Sequence, residues 1–285
     1  MLTTETTGPF DDPATDPREV ARQAAADVAR LSGVERHDIA LTLGSGWGSA
    51  ADLLGEPVAS FDQSEVTGFP PPAVHGHSSV MRSFAVDGHD GRTRHVLVFG
   101  SRTHFYEGHG VRPVVHTVRT AAATGCDTMV LTNGCGGLNP EWAPGTPVLI
   151  SDHINLTAHS PLEGAAFVDL TDLYTPHLRQ VARTVDPSLE EGVYVQFRGP
   201  HYETPAEVRM AKAIGGDLVG MSTTLEAIAA REAGMSVLGL SLVTNAAAGI
   251  SENPLSHEEV IEAGKAASAR CGELLAGIVP PPRPP

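Results

Sequence analysis

Positive charge is what this chain has least of. Two lysines (Lys212 and Lys265) and 19 basic residues in all stand against 34 acidic ones, a formal net charge of −15 over 285 residues. A protein that tracks a phosphate backbone needs a basic face, so nucleic acid is excluded as a partner. Cysteine is scarce too. Cys126, Cys135 and Cys271 are odd in number, far apart and in no C-x-x-C pair. That is the pattern of reduced thiols rather than of a disulfide framework. No run approaches the ~20 apolar residues of a membrane span. The N-terminal MLTTETTGPFDDPATDP lacks the basic-then-apolar order of a secretory leader, so the expected location is cytoplasmic, with no membrane partner. There is no GxxxxGK[ST] loop, and Gly44-x-Gly46 has Ser49 where the third glycine of a dinucleotide fingerprint would fall. Gly220-Met221-Ser222-Thr223-Thr224 lacks the closing glycine of a nucleophile elbow. Neither His75-x-His77 nor the His104…His109 spacing fits a zinc pattern, and no metal is expected.

What remains is an ordinary soluble composition, 41% hydrophobic and 19% charged, in a chain long enough to bury a full core. Apolar, β-branched runs alternate with helix signals. Strands are expected at Ile39–Leu43, Met81–Val86, His95–Phe99, Thr128–Thr132, Val148–Ser151, Gly192–Phe197, Leu218–Gly220 and Val237–Thr244. Helices are expected from Asp16 to about Leu31, Pro113 to Ala123, Pro176 to Val185, after Thr204, after Thr223 and after Ser256. Several of these starts carry an N-cap with Glu three residues on. Glu56–Val80 reads as loop. The alternation predicts an α/β protein with a buried sheet. The expected organisation is a disordered tail over 1–15, a single domain over 16–279 and a Pro-rich tail over 280–285.

The chemistry gathers at strand ends. After His95–Phe99 comes Ser101–His109, SRTHFYEGH. If the extended backbone persists, alternation puts Arg102, His104 and Tyr106 on one side. A guanidinium, an imidazole and a phenol there make a receptor for an anion with a flat or hydroxylated neighbour. A polar loop with Arg102 paired to a carboxylate is the plainer alternative. Three small-residue turns follow strands, at Ser45, at Asn133–Gly137 and at Ser222. Each exposes backbone N–H groups and precedes a helix, which favours an anion, although any one is also what a tight strand–helix turn looks like. Together with Arg102 and His104 they offer the many donors a tetrahedral phosphate requires. Tyr202-Glu203, fixed by the Thr204 cap, puts an aromatic face beside a carboxylate. Asn245, ending a strand, can both donate and accept, as a purine N7/O6 edge demands.

RTHFYEGH, TNGCGGL, GPHYETPAE, VGMST and VTNAAAG, in that order, closely resemble the trimeric class of purine nucleoside phosphorylases. The likeness runs from about Ile39 to the last helix. It implies a single-domain purine/uridine phosphorylase-like fold, with a mixed central sheet partly closed into a barrel and surrounded by helices. It also implies a pentosyltransferase of purine salvage, which cleaves inosine or guanosine and their 2′-deoxy forms reversibly to the free base and (deoxy)ribose 1-phosphate. Inorganic phosphate is the co-substrate and no cofactor is needed. The family's phosphate site falls on Ser45, Arg102, His104, the backbone N–H of Gly134, and Ser222. Its base site falls on Tyr202, Glu203 and Asn245, and its ribose contacts on Tyr106, Met221 and His257. Asn245, Glu203 and His104 would be the catalytic set. The resemblance further implies a homotrimer in which Phe167 closes a neighbouring subunit's pocket. A 5′-methylthioadenosine phosphorylase is the alternative, but that relative usually has aspartate where Asn245 stands. The chain departs from the family pattern at Ser101, where glycine is usual, at Gly134-Cys135, at Ala246 and at Ser79. Ser101 is the departure expected to disturb the phosphate geometry.

Overall fold

The computed structural model of the chain describes residues 8–69, 79–88, 91–250 and 257–279, leaving out the side chains of 257 and 258. Asp16 starts the first helix by accepting the Arg18 N–H, Pro17 occupies the first turn, and Gly33 ends it at φ 71°. In chain order the elements are α1 (Pro17–Ser32), β1 (Ile39–Thr42), β2 (Ala59–Asp62), β3 (Val80–Asp87), β4 (Thr93–Phe99), α2 (Val111–Val114) and α3 (His116–Ala123). Then follow β5 (Thr128–Gly137), β6 (Pro147–Asn155), α4 (Pro176–Val185), β7 (Glu190–Gln196), α5 (Pro205–Ala213), β8 (Leu218–Gly220), α6 (Thr224–Glu232), β9 (Ser236–Ala246) and α7 (His257–Ile278).

One sheet carries all these strands, in the order β2-β3-β4-β1-β5-β8-β7-β6-β9, and β9 pairs again with β5. That second pairing closes β5-β8-β7-β6-β9 into a barrel and leaves β1–β4 as an extended wing. The expected mixed sheet, partly closed and surrounded by helices, is therefore found. Helices α1, α3 and α6 supply Val28, Val118 and Leu225 to the core on one face. Helices α4 and α7 supply Leu178 and Leu274 to the other. Covered on both sides, β9 is buried from Val237 to Asn245, which is why its sequence is mostly apolar, broken only by Ser241, Thr244 and Asn245, rather than alternating. Gly239 sits where a Cβ would come within 2.8 Å of the Tyr174 ring and 2.9 Å of Ile150, so the layer packs only around glycine.

Strands β1, β4, β5 and β9 run parallel to their neighbours in this part of the sheet, so their C-terminal ends share one edge. Open α/β sheets form their ligand crevices at such an edge. The β5–β9 register shifts at Cys135/Gly136, where a bulge sets Gly136 opposite Asn245.

Several expectations are corrected. Asn133–Gly137 is not a turn before a helix but the second half of β5, because pairing with β9 and β8 overrides the poor strand preference of glycine. Ser45 precedes only a short 3-10 helix, Ala50–Leu54. The extended backbone stops at His104. Phe105–Glu107 is a 3-10 turn whose Glu107 caps the His104 N–H at 2.6 Å, so Tyr106 is not carried by strand alternation. The Glu56–Val80 stretch contains β2, an edge strand in which only Phe61 is buried, too slight a pattern to read. The helix expected over Pro113–Ala123 is broken at Val115. Residues 8–15, assigned above to a disordered tail, form turns, and Arg112 donates to the carbonyls of Asp12, Pro13 and Thr15. Pro70–Pro72, His75–His77, Ser256 and the Pro-rich tail lie outside the described residues.

Candidate active site

At the shared strand edge lies a cavity of about 420 Å³. Ser45, Arg102, His104, Gly134 and Ser222 line it, as do Tyr202, Glu203, Asn245, Tyr106 and Met221. Ten of the twelve residues singled out from sequence thus meet in one space. The two exceptions are of different kinds. His257 opens α7, and its side chain lies outside the described part; Val260, one turn on, lines the cavity. Phe167 lies away from the cavity on the long loop before α4 and is 96% exposed.

One end of the cavity is built from donors. The Arg102 side chain is almost wholly buried; its Nη1 donates to the Thr132 carbonyl at 2.6 Å and its Nε to Glu226 at 3.2 Å. Its Nη2 is buried with no partner. A guanidinium N–H left so is expensive unless an anion arrives to accept from it. Gly44 lets the backbone pass this close, since a Cβ there would lie 2.4 Å from the Thr132 carbonyl and 2.7 Å from Arg102 Nη1. The Gly44 N–H in turn donates to Thr132 Oγ1 at 2.9 Å, tying the Ser45 turn to β5. The His104 ring stacks on Tyr106 at 4.7 Å, and its Nδ1–H donates to Glu107 at 3.2 Å, which orients the imidazole. Burial opposes the Glu107 charge, but hydrogen bonds from the His104 ring and backbone hold its carboxyl below the usual range. Burial pushes the Tyr106 phenol up to about 12, with Glu107 adding to the effect, so it is a neutral hydroxyl.

The other end suits a flat polar ring. Glu203 is 7% exposed and its Oε1 is buried without a partner. Burial raises its pKa, with a smaller push from Glu207. Asn245 donates from Nδ2 to Thr244 Oγ1 at 3.3 Å, and that hydroxyl donates to the Cys135 carbonyl at 3.1 Å, which fixes the amide plane. Tyr202, 42% exposed, forms the outer wall. Ser101 does not intrude. It is buried, and its hydroxyl donates to Gln63 Oε1 at 3.2 Å, away from the cavity. Ser79 likewise donates to Asp62, at 2.9 Å. Cys135 lines the cavity as a neutral thiol, pushed up to about 12 by burial.

Sequence reasoning passed over the residues that hold these side chains. Glu226, three residues after Thr223, has only the position of a helix cap in the sequence, and Glu107, Thr132 and Thr244 carry no signal of their own. Glu107 was the nearest to legible, three residues after His104 in the position of a cap.

A family model described as phosphorylase superfamily matches residues 38–280. A purine nucleoside phosphorylase of Cellulomonas sp is 68% identical over 276 residues, covering 97% of this chain and 98% of the relative. The chain belongs to the purine nucleoside phosphorylase family. A second member, from Mycobacterium tuberculosis, is 54% identical over 268 residues, covering 94% of this chain and 98% of its own length. Among solved structures, Schistosoma mansoni purine nucleoside phosphorylase in complex with inosine superposes with a TM-score of 0.83 at 28% identity, covering 94% of this chain and 98% of that one.

The raised pKa of Glu203 gives a test on the ligand-free protein. Because its folded pKa lies above the unfolded one, ionisation of Glu203 costs stability; the cost is absent below the unfolded value and complete above the folded one. Glu203→Gln is expected to melt at a higher temperature than wild type at pH 8, with the gain fading as pH falls toward the ordinary glutamate value of 4.5. Thermal melts across pH check this; a difference that does not vary with pH would contradict the burial of an unpaired carboxylate.

Proposed function

We propose that this chain catalyses the reversible phosphorolysis of purine nucleosides, with inosine, guanosine and their 2′-deoxy forms as substrates. The observation that carries it is the joining, in one cavity, of the donor-rich end around Arg102 and the acceptor-bearing end around Glu203 and Asn245. Phosphate at the first end is a nucleophile beneath the sugar and a counter-charge for the ribosyl cation that forms as the N-glycosidic bond breaks. Asn245, hydrogen-bonding the purine N7, stabilises the negative charge that builds on the leaving base; losing one such donor typically costs about 10²–10³ in rate. Binding both reactants in one cavity supplies the proximity that the step needs. No protein nucleophile is called for.

Substrate choice falls to Glu203. An unpaired buried carboxylate oxygen accepts from the N1–H of hypoxanthine or guanine, whereas adenine presents a lone pair there. Mismatches of this kind can discriminate by roughly 10⁴–10⁵. The methylthioadenosine alternative is not favoured, since the relatives named above are purine nucleoside phosphorylases.

The finer reading is a cytoplasmic homotrimer of purine salvage. Among the described residues no helix is long and apolar enough to cross a membrane. Phe167, 96% exposed on a loop, would gain from burial of its ring if it inserted into another copy's pocket. In that arrangement Phe167 of one subunit closes the sugar end of the next subunit's cavity, and His257 reaches the 5′-hydroxyl.

Two experiments test this. Hypoxanthine release from inosine is expected only with phosphate present; equal cleavage without phosphate, or turnover of methylthioadenosine but not inosine, would contradict the reading. Phe167→Ala and Arg102→Ala subunits, each nearly inactive alone, are expected to recover activity when refolded together, because a mixed trimer contains sites with both groups intact. No recovery on mixing would count against the shared site.

A further inference from the structure

We propose that Glu226 is a positioning residue for the phosphate half of the site: one buried carboxylate that holds Arg102 and the Ser222 turn in a fixed relation. This rests on the phosphorolytic reading above. Glu226 is 1% exposed on α6 and does not line the cavity. Its Oε2 accepts the Thr223 N–H at 2.9 Å and lies 3.0 Å from Arg102 Nε. The two groups it joins are more than a hundred residues apart in sequence, and each carries part of the cavity wall.

The first arm sets which edge of the guanidinium faces the ligand. With Nε on Glu226 and Nη1 on the Thr132 carbonyl, Nη2 is left as the buried, unpartnered donor. Removing Glu226 frees the planar group to rotate, and the unpartnered edge is no longer specified.

The second arm holds a strained backbone. Thr223 has φ 80° and ψ −47°, an outlier for a β-branched residue. Such a conformation persists only where its surroundings over-determine it. Here Glu226 takes its N–H and Asn133 Nδ2 donates to its hydroxyl at 3.0 Å. The following residue, Thr224, donates both its N–H and its hydroxyl to Gln196. Thr223 Oγ1 lies 3.0 Å from Ser222 Oγ, so the strained residue aims the hydroxyl that reaches the cavity. A carboxylate needed only as a helix cap would be met as well at the surface, without the desolvation cost of a buried ion pair. What the burial supplies is geometry.

The test is steady-state kinetics in the phosphorolytic direction. Glu226→Gln keeps the shape but removes the charge and puts an amide NH2 in place of Oε1, 3.2 Å from Arg102 Nε, so its hold on the guanidinium is weakened. The KM for phosphate is expected to rise at least about 10-fold, and up to about 100-fold if Arg102 shifts by an ångström, with the KM for inosine nearly unchanged. Glu226→Asp keeps the charge but cannot span both partners, and it is expected to show the same selective rise. It decides the matter if the Gln variant loses its near-ultraviolet circular dichroism. In an Arg102→Lys background, Glu226→Gln is expected to cost less than it does alone, since its arm on Arg102 is already lost. Parallel rises in both KM values, an unchanged phosphate KM in Glu226→Asp, or additive effects in the double variant would overturn the proposal. Absence of phosphate-dependent cleavage in the wild type would instead overturn the phosphorolytic reading.

Discussion

The double pairing of β9 is the constraint on which the rest depends. Running parallel to β5 and antiparallel to β6, it closes the barrel and sets the C-terminal end of one buried strand beside another. The bulge at Cys135/Gly136 then shifts the register by one residue, and the pairing resumes with Gly136 opposite Asn245. This pairing carries Asn133, Gly134 and Asn245 into the wall of one cavity. Asn133, Gly134 and Asn245 are carried by strands that form the core, and Arg102 comes shortly after β4, which suits a reaction that depends on placement.

Electrostatics sharpen the division. A protein with a net charge of −15 must gather its anion by local means. Arg102 is already paired with Glu226, and His104 with Glu107. The donor end is therefore not simply a patch of positive charge. It is a set of directed N–H and O–H groups whose orientation is locked by buried carboxylates, the arrangement that stabilises charge without reorganisation during reaction. At the other end, Oε1 of Glu203 is buried without a partner, and burial raises the pKa of its carboxyl.

Much of this was legible in sequence because the chemistry sits at the ends of apolar runs. Arg102 and Ser222 each follow a strand recognisable from its branched residues, Asn245 lies at the end of one, and Tyr202-Glu203 precedes a strong helix cap. What was not legible depended on long-range partners. Asn133–Gly137 looks like a turn until β8 and β9 pair with it, and Tyr106 leaves the strand pattern only because Glu107 caps the His104 backbone. Glu226 announces itself as a cap in sequence, while its second partner, Arg102, lies in a distant motif. Ser101 illustrates the converse. Its departure from the family pattern looked like a threat to the site, yet Gln63, from a stretch read as featureless loop, absorbs its hydroxyl.

The central claim is that phosphate, held by Arg102 and its neighbours, attacks the sugar of a purine nucleoside. The most direct measurement is to turn over inosine with ¹⁸O-labelled phosphate in ordinary water and analyse the sugar product by mass spectrometry. The account predicts ribose 1-phosphate with the label retained in the bridging oxygen at C1. Free ribose whose C1 oxygen comes from water would contradict it.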